Sequence, residues 1–94
     1  MTAFAKATGG AAFLMKVQIV VKLKQEVLDP QGQAIQRSLK KLGHEEVSQV
    51  RQGRYFELEI DDEDEAVVTR LSEQIAADVL SNPIIEDFEI RQIS

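Results

Sequence analysis

Between Met15 and Leu23 apolar and polar side chains alternate, with Val17, Ile19, Val21 and Leu23 on one side and Lys16, Gln18, Val20 and Lys22 on the other. A period of two predicts a strand with one buried face. After Lys24-Gln25-Glu26 the spacing changes. Ala34, Ile35, Leu39 and Leu42 recur at helical intervals among Gln33, Gln36, Arg37, Lys40 and Lys41, which predicts a helix from about Pro30 to Leu42. Asp29 suits its cap, Pro30 its first position and Gly43 the position just past its end. Gly32 fits no local rule. Glycine in a first turn costs about 0.5–1 kcal/mol relative to alanine, so a close backbone approach by another element or another chain is expected there.

Val47 to Arg51 reads as a short strand of imperfect alternation, and Gln52-Gly53 as a tight hairpin turn in which Gly53 takes positive φ. In the following strand, Arg54 to Ile60, Phe56, Leu58 and Ile60 face one way and Tyr55, Glu57 and Glu59 the other. The acids Asp61 to Glu65 suit a helix start. The helix then spans about Glu63 to Leu80, with Val67, Val68, Leu71, Ile75, Val79 and Leu80 as its buried stripe, and Asn82-Pro83 ends it. A last strand, Ile84 to Ile93, carries Ile85, Phe88, Ile90 and Ile93, with a bend or bulge at Glu86-Asp87. The order β-α-β-β-α-β predicts an α+β domain of ferredoxin-like order, a two-layer fold with a four-stranded sheet and two helices on one face. Strands joined through a helix can run parallel, whereas the central hairpin is antiparallel. Val20 and Tyr55 on the opposite sheet face offer a dimer surface.

Size sharpens that last expectation. A chain of 94 residues without cysteine is one small domain with no disulfide staple, so packing or oligomerisation must support its core. Residues 1–14 are expected to be a flexible N-terminal extension and residues 15–94 the single domain. No apolar run is long enough for a membrane span, and the N-terminal stretch resembles neither a secretory signal nor a transit peptide, which predicts a cytoplasmic protein. Charge is unevenly spread. Residues 1–54 hold nine Lys/Arg against four Asp/Glu, and residues 55–94 hold two against twelve. The net −5 argues against nucleic-acid binding, which draws on Lys and Arg, and the aromatic third strand lacks basic interleaving.

Catalytic chemistry finds no footing. His44, the sole histidine, lies in a loop beside Glu45 and Glu46 with no second histidine for a metal site, and no serine or threonine has a nucleophile context. Counted from Asp61, the sixth position of a calcium loop falls on Ala66 where glycine is needed, and Gly9-Gly10 lacks the spacing of a phosphate-binding loop. The residues alone leave the function open between a small-molecule-sensing regulatory module and a protein-assembly subunit.

Three segments carry a resemblance. Leu23-Lys24 with Val27-Leu28-Asp29-Pro30-Gln31-Gly32, then Val50-Arg51-Gln52-Gly53-Arg54 with Glu57-Leu58, then Asn82-Pro83-Ile84-Ile85-Glu86-Asp87-Phe88 resemble, in order and spacing, the signature segments of the PurS family. Arg54 stands where that family often has lysine, and Phe88 where it often has tyrosine. The resemblance covers about residues 15–93 and implies a non-catalytic small subunit of phosphoribosylformylglycinamidine synthase. In such a complex a glutaminase subunit releases ammonia, and a large synthase subunit uses ATP and magnesium to convert formylglycinamide ribonucleotide to its amidine. The small subunit, on this resemblance, binds no cofactor or metal itself. It forms a homodimer or higher homo-oligomer, bridges the two catalytic subunits and aids ammonia transfer. Its implied contact residues are Asp29, Pro30 and Gly32 at the first corner, Arg51, Gly53 and Arg54 at the second, and Asn82, Pro83, Glu86 and Asp87 at the third. Arg51 and Arg54 would there present charge to an acidic partner surface.

Overall fold

The computed structural model describes residues 14–94, so the extension expected at 1–14 lies outside the described residues except for Leu14, which opens the first strand. The elements are β1 (Leu14–Leu23), α1 (Pro30–Lys41), β2 (Gly53–Asp61), α2 (Glu65–Ile75, continued by a π-helical turn Ala76–Leu80) and β3 (Glu86–Ile93). β1 is the central strand of a three-stranded sheet in the order β2-β1-β3, antiparallel to both neighbours. β2 and β3 therefore run parallel to each other on either side of β1, joined through α2 as a split β-α-β unit.

Among the described residues the fourth strand expected at Val47 to Arg51 is not formed. The α1 side holds one of its backbone groups by a side-chain hydrogen bond, holds the residue that follows it and crowds another. The Ser48 carbonyl accepts from Gln36 Nε2 at 2.7 Å, the neighbouring Gln52 N–H donates to Asp29 Oδ2 at 2.7 Å, and the Val50 carbonyl abuts Gly32. A segment held in this way has no regular row of amides to offer β2. The hairpin expected at Gln52-Gly53 is lost with it. Gly53 opens β2 opposite Lys22, and what demands glycine there is space, since a Cβ would sit 2.6 Å from the Val21 carbonyl oxygen. Positive φ belongs instead to Gly43, at 95°. Its N–H donates to the Lys40 carbonyl while the His44 N–H donates to that of Leu39, the paired bonds of a Schellman helix end.

The core is built on β1. Val17, Ile19 and Val21 are wholly buried together with Val68 and Ala76 of the α2 segment, and Met15, Phe56, Leu58, Ile60, Phe88, Ile90 and Ile93 pack against them half-buried. On α2 the buried line is Val68, Ser72 and Ala76, one residue every four. The expected stripe is therefore corrected at two positions, because Leu71 is 38% exposed and Val79 74%. The π turn accommodates an extra residue and shifts the helical phase, which carries Val79 outward and leaves Leu80 half-buried.

The irregularity expected at Glu86-Asp87 lies elsewhere. Those two residues pair regularly with Leu23 and Lys22, whereas Ile90 opposes Ile19 and Ile93 opposes Val17, so β3 has one extra residue across the Gln18/Ile19 step. Only a bulge there lets both isoleucines, three positions apart, face the core. α1 departs most from expectation. Gly32 is its one buried residue, and Ile35 and Leu42, which the pattern placed on the sheet, are 41% and 73% exposed.

Candidate functional site

The three corners come together at the end of the sheet where β1 finishes and β2 and β3 begin. At the first, Asp29 caps α1: its Oδ1 accepts from the Gly32 N–H at 2.9 Å. Its other oxygen accepts from the Gln52 N–H at 2.7 Å, so a single carboxylate ties the helix start to the second corner. Asp29 is buried, and its pKa is held below the ordinary value of 3.8, first by the Gln52 N–H, then by the Gly32 N–H, with the Arg51 guanidinium adding to this against the opposing effect of burial. Pro30 occupies the first helical turn, where its missing N–H costs nothing.

Arg51 reaches back across the same junction. Its Nη2 donates to the carbonyls of Lys24 at 2.8 Å and Leu23 at 3.3 Å, and its Nη1 to that of Val27 at 3.2 Å. One planar fork thus satisfies three carbonyls at the end of β1 and in the β1–α1 connection, a geometry lysine cannot supply. Arg51 is consequently committed within its own chain. Beside it, Gln52 Nε2 donates to Gln31 Oε1 at 2.8 Å.

The second and third corners are joined by Arg54 and Glu86. Arg54 Nη2 lies 2.8 Å from each carboxylate oxygen of Glu86, whose Oε1 also accepts from the Asn82 N–H at 2.7 Å. The Arg54 guanidinium stands 5.8 Å from the centre of the Phe56 ring. Asn82 shapes the turn itself: its side-chain oxygen accepts from the Ile84 N–H at 3.2 Å, and its carbonyl accepts from Ile85 and Glu86. Pro83 lies inside this turn, and Ile84 beyond it is 82% exposed. Asp87 pairs with Lys24 at 3.3 Å, while the Lys24 N–H bonds the Ile85 carbonyl, which fastens the third corner to the first.

The ten residues singled out by sequence are therefore brought to one end of the molecule, where four of them, Asp29, Gly53, Arg54 and Glu86, line a cleft of about 240 Å3 together with Lys22, Gln31 and Gln52. A second cleft of about 400 Å3 lies between the start of α1 and the segment Ser48 to Arg51. Sequence reasoning gave no role to Lys24 or to the Val50 carbonyl, although both stand within the matched segments. Elsewhere, Asp62 and Asp64 of the acidic run accept from the N–H groups of Asp64 and Ala66, as a capped helix start requires. Val20 and Tyr55 are cross-strand partners on the open sheet face, but charged side chains surround them, and the Tyr55 hydroxyl donates to Glu57 at 3.0 Å. Among the described residues there is no cluster of His, Asp or Glu able to hold a metal ion, and no helix is long and apolar enough to cross a membrane.

Fold and corner together define an α+β domain of ferredoxin-like order whose second strand is replaced by a segment bolted to the first helix by side chains. The family model that matches, PurS, described as phosphoribosylformylglycinamidine (FGAM) synthase, covers residues 16–94. The PurS subunit of phosphoribosylformylglycinamidine synthase from Mycobacterium leprae is 44% identical over 86% of this chain and 99% of its own. The crystal structure of PurS from Methanocaldococcus jannaschii aligns with a TM-score of 0.75 at 35% identity, covering 85% of this chain and 95% of that one. A chain in the structure of PurLQS from Thermotoga maritima aligns with a TM-score of 0.77 at 29% identity, covering 83% and 95%. The chain belongs to the PurS family and is a small subunit of FGAM synthase, acting in purine biosynthesis.

Proposed function

We propose that this chain works in the cytoplasm as the non-catalytic, self-associating bridge of FGAM synthase, binding the glutaminase subunit and the ATP-dependent large subunit in one assembly. It contributes no reacting group and binds no cofactor of its own; glutamine, ATP and magnesium are used by its partners. Holding the two catalytic subunits in register favours delivery of ammonia to the amide it displaces over its loss to water.

The observation that carries this reading is the corner. Its charged groups engage one another and the backbone, so what it presents outward is a fixed shape rather than a reactive group. Leu28 and Ile84, on two of the corners, are 66% and 82% exposed, and apolar side chains on a rigid base are what a docking surface needs. The matching chain within PurLQS supports the same reading. The test is to mix the chain with its glutaminase and large subunits, with glutamine, ATP and magnesium, on a sizing column. A joint complex with glutamine-dependent amidine formation is expected. If no complex forms and that activity is unchanged without the chain, the reading fails.

A further inference from the structure

Of the two clefts at the corner end, the larger, between the start of α1 and the return segment Ser48 to Arg51, offers a ligand little charge to hold. Its charged lining residues are Asp29 and Arg51, and the first is committed to two backbone N–H groups and the second to three carbonyls. The smaller cleft, of about 240 Å3, lies below the range of about 300–1,000 Å3 that takes drug-sized molecules, so its size suits a small metabolite. Two cations, Lys22 and Arg54, and two carboxylates, Asp29 and Glu86, line it and balance in charge. A polyanion gains little from such a lining, whereas a molecule carrying one charge of each sign fits it.

Two places on the wall have hydrogen-bonding capacity left among the described residues. One is the Arg54–Glu86 pair. Arg54 uses only Nη2 toward Glu86, which leaves Nε and Nη1 as donors, and Glu86 retains acceptor capacity after its bonds to Arg54 and the Asn82 N–H. A cation and an anion fixed side by side match the carboxylate and ammonium that an α-amino acid carries on one carbon. The other place is the amide pair. Gln52 Nε2 donates to Gln31 Oε1 at 2.8 Å, which leaves Gln31 Nε2 as a donor and Gln52 Oε1 as an acceptor. A carboxamide offers an acceptor and a donor together and answers both, whereas a carboxylate would set an acceptor against Gln52 Oε1.

We infer that this cleft binds an α-amino acid with a carboxamide side chain, its head group on Arg54 and Glu86 and its amide on Gln31 and Gln52. Such a ligand touches all three corners at once and braces them against one another. The rigidity of the corner then depends on the supply of that amino acid. This goes beyond the bridging role and does not depend on it.

Titrating the isotope-labelled full chain, observed by its backbone amide resonances, reads the site directly. L-glutamine and L-asparagine share the carboxamide, and L-glutamate lacks it. At least one of the two amides is expected to shift the signals of Gln31, Gln52 and Arg54 saturably, the tighter of them setting the side-chain length, with L-glutamate binding at least about tenfold more weakly. Gln52→Ala removes the side-chain amide and keeps the backbone N–H that Asp29 accepts from, so the fold is kept while the preference over L-glutamate is expected to collapse. Arg54→Ala is expected to weaken the amides at least about tenfold. The absence of saturable shifts at the corner, L-glutamate binding as tightly as the amides, or either variant behaving as the wild type overturns the inference. A chain that binds no amino acid yet enters the three-subunit complex sinks this inference and leaves the bridging reading standing.

Discussion

Gly32 and the Val50 carbonyl are in direct backbone contact: a Cβ added to Gly32 would collide with that oxygen and come within 2.8 Å of Asp29 Oδ2. Gly32→Ala therefore forces either the return segment or the cap to move. Overpacking of this kind costs about 1–3 kcal/mol, and the variant should unfold at lower urea concentration than the wild type, before any partner is added. An unchanged midpoint would mean that the segment around Val50 yields freely and is not bolted.

The Asp29 carboxylate makes a prediction about pH. Its folded pKa lies below the unfolded value because the charged form accepts from two backbone N–H groups beside Arg51. The stability it contributes is present above the unfolded pKa and is lost as pH falls through the folded one. Asp29→Asn should lower the urea midpoint near neutral pH, and the gap from wild type should shrink as pH is taken below 3.8. A gap that stays constant across that range would show that the charge of Asp29 is immaterial.

Ser72 has a wholly buried hydroxyl with no hydrogen-bond partner among the described residues, in the middle of the α2 line that faces β1. Removing an unsatisfied buried hydroxyl relieves its desolvation penalty, and alanine is the better helix former. Ser72→Ala should raise stability, by about 1 kcal/mol, read as an increase in Tm. A fall in Tm would indicate that the hydroxyl is satisfied in solution.

Arg54 and Glu86 form an ion pair whose arginine is half-exposed. Such a pair contributes little to folding, on the order of 1 kcal/mol or less, so Arg54→Ala should leave the domain folded with a small loss that diminishes in high salt. The larger effect is expected on assembly, since Glu86 and the Asn82 turn lose the contact that fixes them. Binding to the glutaminase and large subunits on a sizing column separates the two effects.

Local pattern made most of the fold legible. Alternation located β1 and β2, and helical spacing located α1 and α2, because those signals depend on neighbours within a few residues. What it could not show was long-range capture of the backbone. Arg51 bonds carbonyls 24, 27 and 28 residues away, and it is this reach that replaces the expected strand at 47–51 with a clamped segment. The same blindness turned Gly53 into a hairpin residue, when its requirement comes from the Val21 carbonyl on the adjacent strand. Gly32 lies between the two cases. A close approach by another element or another chain was expected, and the approaching group is the Val50 carbonyl of its own chain. The bulge in β3 was readable in principle, since the spacing of Phe88, Ile90 and Ile93 breaks the period of two once.

The central position of β1 has a consequence for synthesis. The first strand made finds neither neighbour until residues 53–61 and 86–93 have followed it, and Lys16 exchanges both of its backbone hydrogen bonds with Ser94. Every strand pairing in the sheet is therefore distant in sequence, which slows folding relative to a meander of local hairpins. The β1 hydrophobic ridge, Val17-Ile19-Val21, must wait uncovered on the nascent chain while the rest is translated. The domain is thereby exposed to capture by other chains during synthesis and dependent on β3, made after the other two strands, for closure of the sheet.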